Sequence, residues 1–393
     1  MYIHRNIEQH ILSALTQFPA CLITGARQAG KSTLLRNLLP DYNYVTFDDL
    51  MLRKMAKEDP ELFLSTYKSP LIIDEIQYVP ELLSYIKIKI DNKRHEYGKY
   101  VLTGSQIFQI MEGVSESLAG RIAIFNLYPF SFEEIKINVF DDDLVFKTCL
   151  KGFYPEFYIN LKLDPSFWFS SYFATYIERD IRNIKAIPDL SKFQSFISIL
   201  ATRAGQILNL SSISKECGIS QPTCKNWLSI LESTYIIYLL KPFHKNRKKR
   251  IIKSPKLYFI DTGLLCYLLG IDTPSRLLKA SERGAIFENM IIIEAIKRLA
   301  YQTGKSNCYF YRTQSGIEVD LIIEKSNELI PYEIKFSKTL SKNMASSINL
   351  FQKDHQINKG FVLSLHKETI PFYENIEAIH WNNICNSNII EKN

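Results

Sequence analysis

The sequence predicts an α/β protein in which a parallel-sheet domain is followed by a winged-helix middle part and a second α/β domain. Three patterns along its 393 residues predict this. An apolar run, a glycine-containing loop and an amphipathic segment occupy residues 20–39, two short helical segments around a glycine occupy residues 209–228, and a helix followed by strands begins near residue 285. We place the domains at 1–135, 136–205 (a helical linker or lid), 206–272 and 273–393.

The first pattern is a phosphate-binding loop. Residues 25–32 read G-x-x-x-x-G-K-S, between a buried strand and a helix that stops before Pro40. In such loops the glycines let backbone N–H groups point at the phosphates, Lys31 supplies a cation and the Ser32 hydroxyl ligates Mg²⁺. The pattern therefore predicts a nucleoside triphosphate site, with ATP and Mg²⁺ as ligands. The residues expected to bind the nucleotide are Gly25, Ala26, Arg27, Gln28, Ala29, Gly30, Lys31, Ser32 and Thr33.

Two further strands complete the predicted nucleotide site. The apolar run 70–73 ends in Asp74 and Glu75, which is the Walker B arrangement. We expect Asp74 to hold Mg²⁺ and Glu75 to orient or deprotonate the water that attacks the γ-phosphate. The next strand brings Thr103 and Ser105 to the carboxyl end of the sheet, where ligands bind. Either hydroxyl can sense the γ-phosphate, and Ser105 can equally cap the helix that follows.

These motifs, together with Ser-Leu-Ala-Gly-Arg at 117–121, carry a resemblance. The run from Thr24 to about Glu134 is similar to the AAA-type ATPase domain of a large prokaryotic family of ATP-binding proteins. In that family a C-terminal domain of unknown function follows, so the resemblance covers nearly the whole chain. It implies ATP hydrolysis and makes Arg121 a candidate arginine finger or sensor, and a finger that acts in trans implies a homo-oligomer. The alternative is an arginine that ties a loop to the core.

Composition predicts a globular cytoplasmic protein. Hydrophobic residues make up 46% of the chain and charged residues 23%, which is ordinary for a folded domain. No run approaches 18 apolar residues and the N-terminus lacks the layout of a signal peptide, so we expect no membrane contact. The seven cysteines are scattered without a C-x-x-C pair, which indicates reduced, mostly buried thiols and neither a zinc site nor a disulfide framework.

The net charge of +7 is concentrated in one stretch. Residues 241–256 contain eight lysines and arginines and no acid. Just upstream, a helix, a turn at Gly218 and a second helix capped by Ser220 form a helix-turn-helix pattern, and flanking β-rich runs suggest a winged helix. The pattern predicts DNA as a partner, whereas the alternative is a packing or dimerisation module with a solvated hairpin tip. The predicted DNA contacts are Gln221, Lys225, Lys245, Arg247, Lys248, Lys249 and Arg250.

The C-terminal third holds a second set of acidic residues. A helix carrying Glu288 precedes three strands, which place Glu318 and Asp320 on one face and Glu333 beside Lys335. This order resembles the PD-(D/E)XK nuclease fold, known for its restriction endonucleases. The resemblance implies that Asp320, Glu333 and Glu288 ligate Mg²⁺ and that Lys335 assists the attacking water, with Arg312 available to hold a phosphate. The alternative is a sheet that carries an ordinary surface Glu-Lys pair.

Taken together, these predictions favour an ATPase that acts on DNA and couples ATP hydrolysis to a magnesium-dependent, nuclease-like domain. The rival hypothesis is a nucleotide-switched scaffold whose nuclease-like fold only docks a partner.

Overall fold

The computed structural model describes residues 2–105, 113–114, 117–175, 187, 189–244, 254–303, 306–325 and 328–385. The chain forms two compact units. The first contains Met1–Phe130, Ser233–Tyr235 and Ala300–Lys305, and the second contains Ser131–Glu232, Ile236–Leu299 and Ser306–Asn393.

A parallel sheet forms the centre of the first unit. Within the described residues its strand order is β2-β3-β4-β1-β5, and every neighbouring pair is parallel. The strands are β1 (Ala20–Gly25), β2 (Asn43–Thr46), β3 (Leu71–Asp74), β4 (Tyr100–Gly104) and β5 (Ile122–Leu127). The helices are α1 (Glu8–Leu15), α2 (Lys31–Leu38), α3 (Leu50–Glu58), α4 (Pro60–Thr66) and α5 (Leu82–Asn92).

The central strands of this sheet are apolar and buried along their length. β1, β3 and β4 are buried at every position, as expected for strands covered on both faces. Leu22, Ile73 and Leu102 lie in one core cluster with Phe47 and Phe63. Because the strands are parallel, the carboxyl ends of β1, β3 and β4 meet at one edge, and this edge carries the predicted nucleotide residues.

The second unit begins with short helices and contains the predicted helix-turn-helix. The helices before the C-terminal sheet are α6 (Phe132–Ile135), α7 (Asp142–Lys151), α8 (Glu156–Ile159), α9 (Pro165–Tyr172), α10 (Leu190–Thr202), α11 (Leu210–Glu216), α12 (Gln221–Ser233), α13 (Thr262–Leu268) and α14 (Pro274–Lys279). The Ser220 hydroxyl accepts a 3.1 Å hydrogen bond from the Thr223 N–H and so caps α12 as predicted. After it, β6 (Ile237–Leu240) and β7 (Lys256–Phe259) pair antiparallel.

A mixed sheet follows in the C-terminal part of the second unit. Its described strand order is β12-β13-β11-β10-β9-β8. The predicted succession of helix, three strands, helix and strand is present, and two further strands follow it. These elements are α15 (Arg283–Thr303), β8 (Cys308–Arg312), β9 (Glu318–Lys325), β10 (Glu328–Lys335), α16 (Ser346–His355), β11 (Gly360–Ser364), β12 (Ile370–Tyr373) and β13 (Ile376–His380).

Several predictions fall outside the described residues. They are the phosphate contacts expected of Lys245, Arg247, Lys248, Lys249 and Arg250.

All seven cysteines are free thiols, of which Cys385 alone is not fully buried. In the described part of the chain, the helices are all too short or too polar to cross a bilayer.

Candidate nucleotide-binding site and acidic cluster

The phosphate-binding loop joins β1 to α2 and is shaped by its glycines. Gly25 has φ +148°, and a Cβ there would lie 2.0 Å from the Leu127 carbonyl oxygen on β5, so the position accepts no side chain. Gly30 has φ 90° and precedes the first residue of α2. Outside the motif, the buried Arg5 side chain donates 3.0 Å to the Ala29 carbonyl and braces the loop, a contact that the sequence pattern did not reveal.

Lys31 points back into this loop. Its Nζ donates hydrogen bonds of 3.1 Å to the carbonyl oxygens of both Gly25 and Ala26, and its side chain is buried. Burial lowers the pKa of Lys31, while the nearby carboxylates of Glu75 and Asp74 raise it. The ammonium therefore lies within the loop and close to the Walker B acids, where a phosphate-binding cation is needed.

Asp74, at the end of β3, accepts hydrogen bonds from three hydroxyls. Ser32 donates at 2.7 Å and Tyr44 at 2.6 Å to Oδ2, and Thr103 donates to Oδ1. The Ser32 contact joins the loop to the Walker B strand. Tyr44 was missed because it lies on β2, whose register with β3 only the folded sheet defines.

Glu75 follows β3 in a left-handed conformation, with φ 58°. Its N–H donates 3.2 Å to the Thr103 hydroxyl, and its Oε2 accepts from Gln77 and, at 3.5 Å, from Ser105. Thr103 and Ser105 thus contact the two Walker B carboxylates. Polar contacts on both sides of Glu75 hold its carboxylate at the edge where the nucleotide is expected.

Arg121 lies at the other end of the sheet. It directly precedes β5, and its carbonyl accepts a 3.3 Å hydrogen bond from the N–H of Ala20, the first residue of β1. Since Gly25 is at the far end of β1, the length of the strand, about 3.3 Å per residue, separates Arg121 from the loop. Its guanidinium forms a two-point ion pair with Asp91, at 2.7 and 3.2 Å. The Asp91 ion pair therefore holds the guanidinium away from the loop of its own chain.

In the second unit, Lys256 lies among the acidic residues of the C-terminal domain. Its Nζ is 2.5 Å from Glu318 Oε1, 3.2 Å from Glu288 Oε1 and 3.7 Å from Asp320 Oδ1, and its side chain is 3% exposed. Tyr258, two residues along β7, donates 2.6 Å to the same Glu288 oxygen. The interpretation of residues 241–256 as one exposed basic patch is therefore wrong for Lys256, which is buried and forms ion pairs.

The predicted metal ligands Asp320 and Glu333 lie on the same face of the sheet. Tyr332 pairs with Leu321, so the next residues, Glu333 and Asp320, are opposite each other on antiparallel strands. Asp320 Oδ2 accepts a 2.8 Å hydrogen bond from the Ile334 N–H. Glu333 Oε1 accepts 2.6 Å from Lys335, its predicted neighbour.

Burial shifts the pKa values in this cluster. Burial and the neighbouring Asp320 raise the pKa of Glu333 to about 8, although Lys335 opposes the shift. The same two causes raise the pKa of Glu288 to about 7. Burial would lower the pKa of Lys256, but Glu288, Asp320 and Glu318 together raise it above the ordinary value. Burial in this cluster therefore disfavours the ionised form of Glu333 and Glu288.

The predicted DNA-contacting residues of α12 lie at its start. Gln221 and Lys225 are exposed, whereas Cys224 and Trp227 on the same helix are buried. The helix therefore has exposed polar side chains on one side and buried side chains on the other.

The geometry of the first unit is that of a P-loop nucleotide-binding domain of the AAA type. In agreement, residues 17–136 match the family described as AAA domain. Residues 142–275 and 283–384 match two families described as domains of unknown function, DUF8612 and DUF4143. The first match confirms the predicted AAA-type domain, while the winged-helix and nuclease-like assignments stay predictions.

Relatives extend over most of the chain. It is 27% identical to the uncharacterized protein Rv2008c of Mycobacterium tuberculosis, over 99% of this chain and 86% of that protein. It is 23% identical to an uncharacterized protein of Haemophilus influenzae, over 91% of this chain and 92% of that protein. Among solved structures, it is similar to the Walker-type ATPase paby2304 of Pyrococcus abyssi, with a TM-score of 0.46, 16% identity, and coverage of 68% of this chain and 96% of that one.

Proposed function

We propose that this protein binds ATP with Mg²⁺ and hydrolyses it at the edge of the first sheet. The observation that carries the proposal is the 2.7 Å hydrogen bond between Ser32 and Asp74, which brings the loop and the Walker B strand together. A serine hydroxyl and a carboxylate are hard oxygen ligands of the kind that Mg²⁺ prefers. The bound ion would neutralise charge on the phosphates.

Each residue of the site has its own role in this proposal. Lys31 and the loop N–H groups bind the phosphates, and Ser32 and Asp74 hold the cation. Glu75, fixed through Ser105 and Gln77, orients the attacking water and takes up its proton. Arg121 is proposed to act on a neighbouring copy of the chain, because it lies far from the loop of its own.

Substitutions at Lys31 and Glu75 test this proposal. Lys31→Ala should weaken nucleotide binding, since it removes the cation from the loop. Glu75→Gln should keep binding and lower turnover on the order of 10²-fold or more, because it removes the base and spares the phosphate contacts. Glu81→Gln, an exposed acid in the same unit, is the matched control and should hydrolyse ATP normally. Equal turnover by wild type and Glu75→Gln would overturn the assignment.

A second proposed function is DNA binding through the start of α12 and the basic segment 245–250. It is supported by the exposure of Gln221 and Lys225 beside the Ser220 cap. Lys225→Ser should lower the slope of log K against log salt by about 0.9, the value for one phosphate contact, whereas the exposed Lys57→Ser in the first unit should leave it unchanged. An unchanged slope in Lys225→Ser would favour the packing alternative.

We propose further that Glu288, Asp320, Glu333 and Lys335 do not form the magnesium-dependent nuclease site that the sequence predicts. Across the residues that the structure describes, no group of three or more His, Cys, Asp or Glu side chains is arranged to hold a metal ion. Lys256 contacts Glu288 and Asp320, Lys335 contacts Glu333, and the Ile334 N–H donates to Asp320. This favours the rival hypothesis for the C-terminal domain, in which its fold docks a partner and its position follows the nucleotide state.

A further inference from the structure

The position of Lys256 defines what the acidic cluster binds. The cluster consists of Glu288 on α15, Glu318 and Asp320 on β9, and Glu333 on β10. Lys256 Nζ is within 4 Å of an oxygen on three of these four side chains. Its side chain is 3% exposed, so the ammonium is held among the carboxylates and has almost no access to water.

Three further oxygens of the cluster have partners other than Lys256. Arg312 Nη1 is 2.9 Å from the second oxygen of Glu318, and the Ile334 N–H donates 2.8 Å to the second oxygen of Asp320. Lys335 donates 2.6 Å to Glu333 Oε1, which leaves Glu333 Oε2 as a buried oxygen without a hydrogen bond in the described structure. Three cations of the chain therefore face four carboxyl groups.

This arrangement does not provide the coordinating oxygens that a divalent ion needs. Mg²⁺ requires near-octahedral coordination by oxygens at about 2.0–2.1 Å, and each oxygen must be free to turn towards it. An ammonium at 2.5–3.7 Å from three carboxylates occupies the position from which those oxygens could converge. A divalent ion placed beside it would also be repelled by its charge.

We infer that Lys256 is the resident cation of this cluster and takes the place of the divalent metal that the nuclease-like resemblance implies. The cluster therefore binds no Mg²⁺ or Mn²⁺ while Lys256 is present. Its ion pairs join β7 to α15 and β9 within the second unit. This inference is independent of ATP hydrolysis, because neither its residues nor its test involve the phosphate-binding loop.

The inference is tested by Mn²⁺ binding to nucleotide-free protein, measured from the paramagnetic resonance signal of free Mn²⁺. Wild type and Asp320→Asn should bind equally, because the cluster takes up no metal in either. Lys256→Ala should gain one Mn²⁺ per chain, and the double variant Lys256→Ala/Asp320→Asn should lose it again. Lys338→Ala, which removes an exposed lysine paired with Asp142 elsewhere in the unit, should gain none.

Two results would overturn the inference. One is a Mn²⁺ ion that wild type binds and Asp320→Asn loses. The other is a folded Lys256→Ala variant that gains no metal, since this would mean that the ammonium is not what excludes it. If Lys256→Ala does not fold, the comparison of wild type with Asp320→Asn still tests whether the cluster takes up metal.

Discussion

The hydroxyl oxygens of Thr24 and Tyr235 lie 2.9 Å apart, and both donate to Asn126 Oδ1 at 2.8 Å. Thr24 directly precedes Gly25 of the phosphate-binding loop, and Tyr235 follows two residues after the end of α12. Tyr235 is buried and has φ 58°, a conformation that is uncommon outside glycine. Within the first unit, Tyr235 is therefore hydrogen-bonded to the strand that carries the loop.

We predict that Tyr235→Phe weakens nucleotide binding and lowers the free energy of unfolding of the first unit by about 1 kcal/mol. The change removes one buried hydroxyl, while Thr24 and Asn126 keep their mutual hydrogen bond. Urea unfolding and titration with a fluorescent ATP analogue measure the two effects. The matched control is Tyr238→Phe, which removes a hydroxyl that pairs with Ser306 in the second unit. Equal loss of nucleotide affinity in both variants would contradict a specific role for Tyr235.

Gly25→Ala should abolish nucleotide binding. The new Cβ would lie 2.0 Å from the Leu127 carbonyl oxygen, so β1 and β5 must separate where the loop begins. We expect a cost of about 1–3 kcal/mol from the positive φ and a further 1–3 kcal/mol from the overlap. Gly120→Ala is the control, because Gly120 has φ +74° and, apart from its chain neighbours, no atom of the described residues lies within 4 Å of its Cβ position. Gly120→Ala should lose only the stability that the backbone conformation costs, and it should still bind nucleotide. Similar nucleotide affinities of the two variants would refute the steric argument.

The loop was predictable because its residues are contiguous and each has a fixed role. Asp74 and Glu75 followed from an apolar run that ends in two acids. The partners of these residues were not predictable, since Tyr44 and Arg5 reach the site from elements whose register and packing are defined only by the folded unit. Lys256 shows the same limit, because its partner Glu288 is 32 residues away. The sequence did contain one indication of this role. Lys256 and Tyr258 alternate on an apolar strand, so their side chains lie on the same face.

Substitutions at Arg121 and Asp91 distinguish the two roles that the sequence left open for Arg121, an arginine finger and a structural tie. If Arg121 acts on a neighbouring copy, turnover per chain should rise with protein concentration, and Arg121→Ala should abolish the rise. Asp91→Ala should retain it, because this change frees the guanidinium from its ion pair without removing it. Steady-state hydrolysis over a range of chain concentrations makes the comparison. Identical profiles for the two variants would mean that Arg121 serves to tie the start of β5 to α5.

The buried carboxyl of Glu294 predicts how the stability of the second unit depends on pH. Glu294 accepts a 3.0 Å hydrogen bond from the Phe132 N–H at the start of α6. Burial raises its pKa from 4.5 to about 7, against the opposing effect of Lys297. The folded protein therefore keeps a proton that the unfolded chain releases between pH 4.5 and about 7. Since the unfolded state binds fewer protons in this window, stability falls as pH rises through it.

Glu294→Gln should remove this dependence. The amide oxygen can still accept from Phe132, and it carries no charge at any pH. With one pKa unit worth about 1.4 kcal/mol, the variant should become more stable than wild type by about 3 kcal/mol above pH 7 and approach it below pH 4.5. Urea unfolding at several pH values, with the exposed Glu156→Gln as control, gives the difference between variant and wild type. A difference that does not change with pH would show that Glu294 has an ordinary pKa in the folded protein, because every other titrating group is common to both chains.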